Sequence, residues 1–255
     1  MYTFELLFCL NNSHDAEQIG GTINNYLHSL RMNGQILGKE YILALDKNII
    51  RSYVLVPARD SLNHKYSNKY VKEYYKELSS QGIKIEFKRI GKELDSADLC
   101  KCNTVDSYIL YTYYTSLESP LRCGNCFGII PLYKIPKTYD DEYYDIKCWE
   151  TNYQSCDTLQ MNCRVGEKFG MRQLSDINSS LNKDGIDICK RIMDLTQKDT
   201  YYFLYHYVMY PKKDKELNRK CPLCGGEWIL ENELFDKFNF KCDKCLLLSN
   251  MSHFL

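Results

Sequence analysis

Apolar residues mark out six elements in the first 90 positions. Tyr2 to Leu10 alternates with a period of two, so Phe4, Leu6 and Phe8 share one face of a predicted strand. Ser13 stands as an N-cap, with Asp15 and Glu17 in the first turn of a helix. Ile19, Ile23, Tyr26, Leu27 and Leu30 follow at helical spacing, and Asn33-Gly34 stops that helix. Glu40 to Leu45 and Ile49 to Val56 read as two strands joined by Asp46-Lys47-Asn48. Tyr66, Tyr70, Val71, Tyr74, Tyr75 and Leu78 line a second helix that ends near Gly82, and Ile83 to Ile90 alternates as a last strand. The order β-α-β-β-α-β predicts a ferredoxin-like domain.

Beyond that point the pattern changes. Tyr108 to Tyr114 is aromatic and β-branched, as a strand should be. Residues 140–197 are mostly helical: Trp149, Tyr153, Cys156, Gln160 and Cys163 share one face, and Leu181, Gly185, Ile188, Cys189 and Ile192 mark a further helix. Tyr201 to Tyr210 reads as one long strand ended by Pro211, and Trp228-Ile229-Leu230 and Phe238-Asn239-Phe240 as two short ones. The expected class is α+β. Residues 1–92 form the ferredoxin-like domain, 93–210 a zinc-knuckle and helical domain, and 211–255 a C-terminal zinc ribbon.

The cysteines supply the chemistry. Cys221-Pro222-Leu223-Cys224 and Cys242-Asp243-Lys244-Cys245 are spaced C-x2-C-x17-C-x2-C. Two such pairs can close a tetrahedral four-thiolate zinc site of structural type. Gly225-Gly226 after the first pair frees the backbone for a tight turn. A second group, Cys100, Cys102, Cys123 and Cys126, is spaced C-x-C-x20-C-x2-C and predicts a second zinc. Two alternatives stand beside that one: Cys100 and Cys102 are incidental and the later pair is a packed turn, or the C-x2-C is a redox pair. Closed sites of four cysteines leave no coordination position for substrate, so they stabilise a shape without implying catalysis. Cys9, Cys148, Cys156, Cys163 and Cys189 belong to no pair and read as small buried hydrophobes.

Composition narrows the reading. Hydrophobic residues make up 44% of 255, enough for a packed core. Thirteen cysteines, an odd number and mostly in close pairs, suit metal in a reducing cytoplasm rather than a disulfide scaffold. No apolar run reaches transmembrane length, and Met1 to Glu5 lacks the features of a signal peptide. No phosphate loop, dinucleotide fingerprint, G-x-S-x-G or H-E-x-x-H occurs, and the five histidines sit at no metal-binding spacing. A non-catalytic protein is expected.

Two kinds of partner are open. The first is nucleic acid. Thirty-three basic residues against 33 acidic ones oppose a dedicated binder, so contacts must come from local clusters. Five of the nine positions 212–220 are basic and two acidic. The candidates are Lys212, Lys213, Lys215, Arg219, Lys220, Lys241 and Lys244; the bland alternative for 212–220 is a solvated linker. The open face of the first sheet, with Arg51, Tyr53, Lys84 and Lys88, is a further place for RNA, or else an interface. The second kind of partner is a protein. Neutral charge and 22 tyrosines suit an interface, although codon bias explains the tyrosines as well.

Five segments carry a family resemblance: Arg31 to Gly38, Ser119 to Gly128 followed by Pro131-Leu132-Tyr133, Cys156 to Cys163, Arg219 to Trp228, and Phe240 to Cys245 with Leu248-Ser249-Asn250. The chain resembles the bacterial zinc-ribbon-containing family with a suggested nucleic-acid-binding role, the domain of unknown function 2310. That resemblance implies zinc and suggests nucleic acid. The C-x2-C-G layout also looks like that of bacterial immunity proteins, which would imply a protein-binding module of antitoxin-like type.

Overall fold

The computed structural model describes residues 1–11 and 16–252. The chain divides into two compact units. One comprises Met1–Leu99, Leu117–Ser119 and Ile129–Tyr144; the other comprises Cys100–Ser116, Pro120–Gly128 and Asp145–Leu255.

The first unit runs β1 (Tyr2–Cys9), α1 (Ala16–Met32), β2 (Ala44–Asp46), β3 (Ile49–Val56), α2 (Lys69–Ser80) and β4 (Lys84–Lys92). Its sheet has the order β2-β3-β1-β4, and every neighbouring pair is antiparallel. Phe4, Leu6 and Phe8 of β1 pack with Ile19, Ile23, Tyr26, Leu27 and Leu30 of α1 and with Val71 and Leu78 of α2. Each such fully buried side chain contributes about 1.5–3 kcal/mol. The N-cap expected at Ser13, with Asp15, lies outside the described residues. The stop after α1 is as expected: Gly34 takes a φ of 71°, and the Gln35 N–H donates to the Leu30 carbonyl at 2.9 Å. The strand expected at Glu40 to Leu45 is instead Ala44–Asp46: the turn tightens to Lys47-Asn48 with Lys47 at φ 55°, and Leu37 rather than Glu40 takes the place opposite Leu55, so residues 40–43 leave the edge of the sheet. Asn68, not a residue before Tyr66, caps α2 by accepting from the Val71 N–H at 2.9 Å, so Tyr66 sits in a separate 3-10 turn.

The second unit contains β5 (Ser107–Leu110), β6 (Leu121–Cys123), α3 (Tyr144–Asn162), α4 (Glu167–Ser175), α5 (Ser180–Thr196), β7 (Asp199–Leu204), α6 (Lys213–Leu217), β8 (Ile229–Leu234), β9 (Phe238–Cys242) and β10 (Leu247–Ser249). A single sheet of order β6-β5-β7-β10-β9-β8 runs through it. The centre is parallel, with Tyr108 opposite Thr200 and Leu247 opposite Tyr202, and the two flanks are antiparallel. The C-terminal segment therefore extends the same sheet that β5, β6 and β7 begin.

Tyr202 of β7 stands against α3 and α5. Its ring lies 6.0 Å from that of Trp149, and its hydroxyl donates to Asn182 Oδ1 at 2.7 Å. Gly185 permits this packing: a Cβ there would meet the Tyr202 ring at 2.2 Å and Trp149 Nε1 at 2.7 Å. The expected strand Tyr201 to Tyr210 ends at Leu204, because side chains replace the pairing strand. The His206 N–H donates to Asn250 Oδ1 at 2.8 Å, Asn250 Nδ2 donates back to the His206 carbonyl at 2.7 Å, and the Val208 N–H donates to Ser252 Oγ at 2.8 Å. Tyr108 to Tyr114 is likewise cut to β5. The Tyr114 N–H turns to Asp157 Oδ2 at 2.8 Å. Cys163 departs from the buried face expected of it. It lies beyond the end of α3 at φ 52° and is exposed.

Candidate metal centres

Cys123 to Gly128 and Cys221 to Gly226 fold into the same knuckle. The Cys123 N–H donates to the Gly128 carbonyl at 2.9 Å and the Phe127 N–H returns to the Cys123 carbonyl at 2.8 Å. The Cys221 N–H donates to the Gly226 carbonyl at 2.9 Å and the Gly225 N–H returns to the Cys221 carbonyl at 2.8 Å. The fifth residue of each turn is left-handed, Phe127 at φ 57° and Gly225 at φ 68°. Glycine takes that conformation without steric cost; a phenylalanine there costs about 1–2 kcal/mol and must be held by its surroundings. Leu246, four residues after Cys242, repeats the left-handed position at φ 51°.

The knuckles converge on two sulfur sets. In each of Cys100, Cys102, Cys123, Cys126 and Cys221, Cys224, Cys242, Cys245, the Sγ atoms all lie within 4.8 Å of one another, so each set could hold a metal ion. Cys102 and Cys123 are 4.0 Å apart at sulfur, Cys224 and Cys242 3.7 Å. Four thiolates at about 2.3 Å from a tetrahedral zinc have edges of about 3.8 Å, whereas a disulfide needs about 2.05 Å. The donor set and spacing therefore fit a tetrahedral ion. Cys100 and Cys102 are brought to Cys123 and Cys126, as a four-ligand site requires.

Local donors favour thiolate. The N–H groups of Cys102, Asn125 and Gly128 each point at a sulfur two residues earlier, at 3.4 Å. In the second set the Gly226 N–H, followed by the neighbouring thiols, draws Cys224 down to about 7. Burial acts the other way at Cys100 and pushes it up to about 12. Four thiolates this close repel one another, so a full set ionises together only around a cation.

The basic candidates part company. Arg219 is largely enclosed: its guanidinium lies 4.1 Å from the Phe240 ring centroid and 5.0 Å from that of Trp228, and it donates to Ser249 Oγ at 3.1 Å and to the Asn250 carbonyl at 2.7 Å. Lys220 pairs with Glu227, and Lys241 lies 2.9 Å from Asp243. Lys212, Lys213, Lys215 and Lys244 are exposed. In the first unit, Arg51 donates to Glu5 Oε1 at 2.8 Å, the Tyr53 hydroxyl donates to the same oxygen at 3.1 Å, and Lys88 lies 3.7 Å from Oε2. The Arg51 guanidinium, foremost, holds the Glu5 carboxyl below its ordinary range. Lys84 is taken by Glu86. Glu5 was legible as the polar position between Phe4 and Leu6, but only the register of three strands shows what it faces. Among the described residues no helix is long and apolar enough to cross a membrane.

The fold and the sulfur sets define a mixed α+β protein built round two candidate metal centres. Family models match along nearly all of it: domain of unknown function (DUF8589) at residues 1–91, domain of unknown function (DUF2310) at 102–205, and domain of unknown function (DUF8594) at 211–254. An uncharacterized protein of Haemophilus influenzae is 34% identical over 258 residues, covering 99% of this chain and 98% of the relative. A second uncharacterized Haemophilus influenzae protein is 37% identical over 166 residues, covering 65% of this chain and 81% of the relative. The chain belongs to the family of these proteins. No solved structure matches it.

Proposed function

We propose that the chain is a cytoplasmic, non-catalytic zinc-ribbon protein that binds single-stranded nucleic acid. Zinc is the ion the donor sets favour, since four thiolates in tetrahedral array suit zinc or iron and closed sites of this kind are structural. The two ions staple opposite flanks of the six-stranded sheet, at Cys123 on β6 and Cys242 on β9. The antiparallel order β2-β3-β1-β4 supports a ferredoxin-like first unit, but the pairing of its basic residues with Glu5 and Glu86 turns the nucleic-acid reading away from that sheet.

The observation that carries the nucleic-acid reading is the run from Tyr207 to Lys215. Tyr207 and Tyr210 are exposed, Tyr210 at 80%, and Lys212, Lys213 and Lys215 follow without a carboxylate partner among the described residues. Exposed aromatic rings beside lysines stack bases and hold phosphates without reading sequence. With three or four phosphate contacts, the log–log salt slope on single strands should be about −2 to −3. Changing Lys212, Lys213 and Lys215 together to Gln should flatten it by about two units with zinc retained. No binding at low salt, or an unchanged slope, ends this reading. A protein partner is the second reading, favoured by the exposed Val208 and Met209 in the same run, which phosphates do not need.

A further inference from the structure

Between the ends of β5 and β7, the body of α3 and the β8–β9 turn, the second unit holds a half-open cavity of about 270 Å³. Tyr111, Tyr113, Tyr153 and Tyr205 line it, with Phe203 and Phe238. The rings form a connected wall: Tyr111 lies 5.1 Å from Phe203, 5.8 Å from Phe238 and 6.1 Å from Tyr113, centroid to centroid. The charged lining is Asp157, Glu233 and Asp236 against Lys237 alone.

Asp157 is the informative group. It is 7% exposed, on the inward side of α3. Its Oδ2 accepts from the Tyr114 N–H at 2.8 Å and its Oδ1 from Gln160 Nε2 at 2.9 Å. Both donors are neutral, and among the described residues no cation pairs with it. A buried carboxylate without a counter-charge is costly, and burial accordingly raises its pKa above the ordinary aspartate range. Glu233 and Asp236 at the opening likewise have no ion-pair partner among the described residues. Aromatic faces carry negative potential, so rings and carboxylates here act in the same sense.

We propose that this cavity is a binding site for an organic ammonium group. The class follows from the lining: aromatic faces attract a soft, weakly hydrated cation, and the Asp157 carboxylate supplies the opposite charge inside. A bare metal ion is disfavoured because the two Asp157 oxygens are already engaged and aromatic rings supply much of the remaining wall. An anion is excluded by the three carboxylates. The ammonium group arrives either on a free small molecule or on a modified lysine of a peptide. This site is separate from the surface Tyr207 to Lys215 and does not rest on the nucleic-acid reading.

The test is calorimetric titration of the full, zinc-loaded chain with choline, with n-butylammonium, with a short peptide bearing trimethyllysine, and with 3,3-dimethylbutan-1-ol, the uncharged carbon analogue of choline. Saturable binding of at least one ammonium probe is expected, at least about tenfold tighter than the uncharged analogue. Choline or butylammonium binding alone points to a free ligand; peptide binding alone points to a modified protein. Asp157→Asn keeps the shape and should weaken the successful probe by about tenfold or more, with zinc content and salt dependence of nucleic-acid binding unchanged. Glu233→Gln, at the opening, should weaken it by a smaller factor and covers the case in which the Asp157 variant does not fold. Binding of the uncharged analogue as tight as choline, no saturable binding by any ammonium probe, or full affinity in both variants would overturn the proposal.

Discussion

Phe127 and Phe235 stack with ring centroids 5.2 Å apart and planes 22° from parallel. Phe127 is the left-handed residue of the Cys123 knuckle, and Phe235, at φ 59°, sits in the turn between β8 and β9. The hairpin of the C-terminal segment thus closes on the knuckle of the other sulfur set. An aromatic pair of this kind is worth about 0.5–1.5 kcal/mol beyond the area it buries. Phe235→Ala should lower unfolding stability by about 1–2 kcal/mol, read from denaturant midpoints, with both metals retained. A change below about 0.5 kcal/mol would mean that the two segments are energetically independent.

Two glycines should respond in opposite directions. Gly185→Ala drives a methyl into the Tyr202 ring and Trp149, and should cost about 2–3 kcal/mol or more in thermal or chemical unfolding. Gly20 in α1 has nothing within 4 Å of the point where an added methyl would sit, and Gly20→Ala should stabilise by up to about 1 kcal/mol through helix propensity. Equal effects at the two sites would contradict the packing described.

What could be read from the sequence was local. Phe4, Leu6 and Phe8 and the Ile19 to Leu30 series announce their faces because period and burial coincide within one element. The cysteine spacing likewise foretells which sulfurs meet. The three residues of β10 carry no such period; they are a strand because Leu247 finds Tyr202, 45 positions earlier by the register. The end of β7 depends on an Asn250 side chain that no window around Tyr205 contains. Asp157 lies inside a helical face marked by Trp149, Tyr153, Cys156 and Gln160, and its setting is visible only once Tyr114 and the cavity are in place.

His206 gives a dependence on pH. Its Nε2 lies 2.9 Å from Glu216 Oε1, yet burial, opposed by Glu216, holds its pKa below the ordinary 6.5. The unfolded chain therefore takes up the proton first as pH falls, so this contribution to stability is full above 6.5 and is lost as pH drops through the folded value. His206→Gln keeps a donor toward Glu216 and should reduce the fall in stability between about pH 7 and about pH 5. An identical pH profile in the variant would remove His206 from the account.

Arg219 should behave unlike its lysine neighbours. Its guanidinium is spent on Trp228, Phe240, Ser249 and Asn250. Arg219→Gln should cost about 1–3 kcal/mol of stability, the range for a lost buried charged hydrogen-bond set. It should leave the salt slope for single-stranded nucleic acid where it was, while the Lys212, Lys213, Lys215 triple change does the reverse. Filter binding across a salt series, paired with denaturation, separates the two.

The two four-sulfur centres are tested most directly by metal analysis of the purified full chain together with X-ray absorption at the metal edge, on the native protein and on Cys242→Ser. The expected result is about two zinc ions per chain, each with four sulfur neighbours at about 2.3 Å, falling to about one in the variant. Because β10 pairs with both β9 and β7, the variant should also loosen the centre of the six-stranded sheet, seen as faster amide exchange at Tyr202 to Leu204. A single zinc in the native protein, a shell of nitrogen or oxygen, or two zincs undiminished by Cys242→Ser would contradict it.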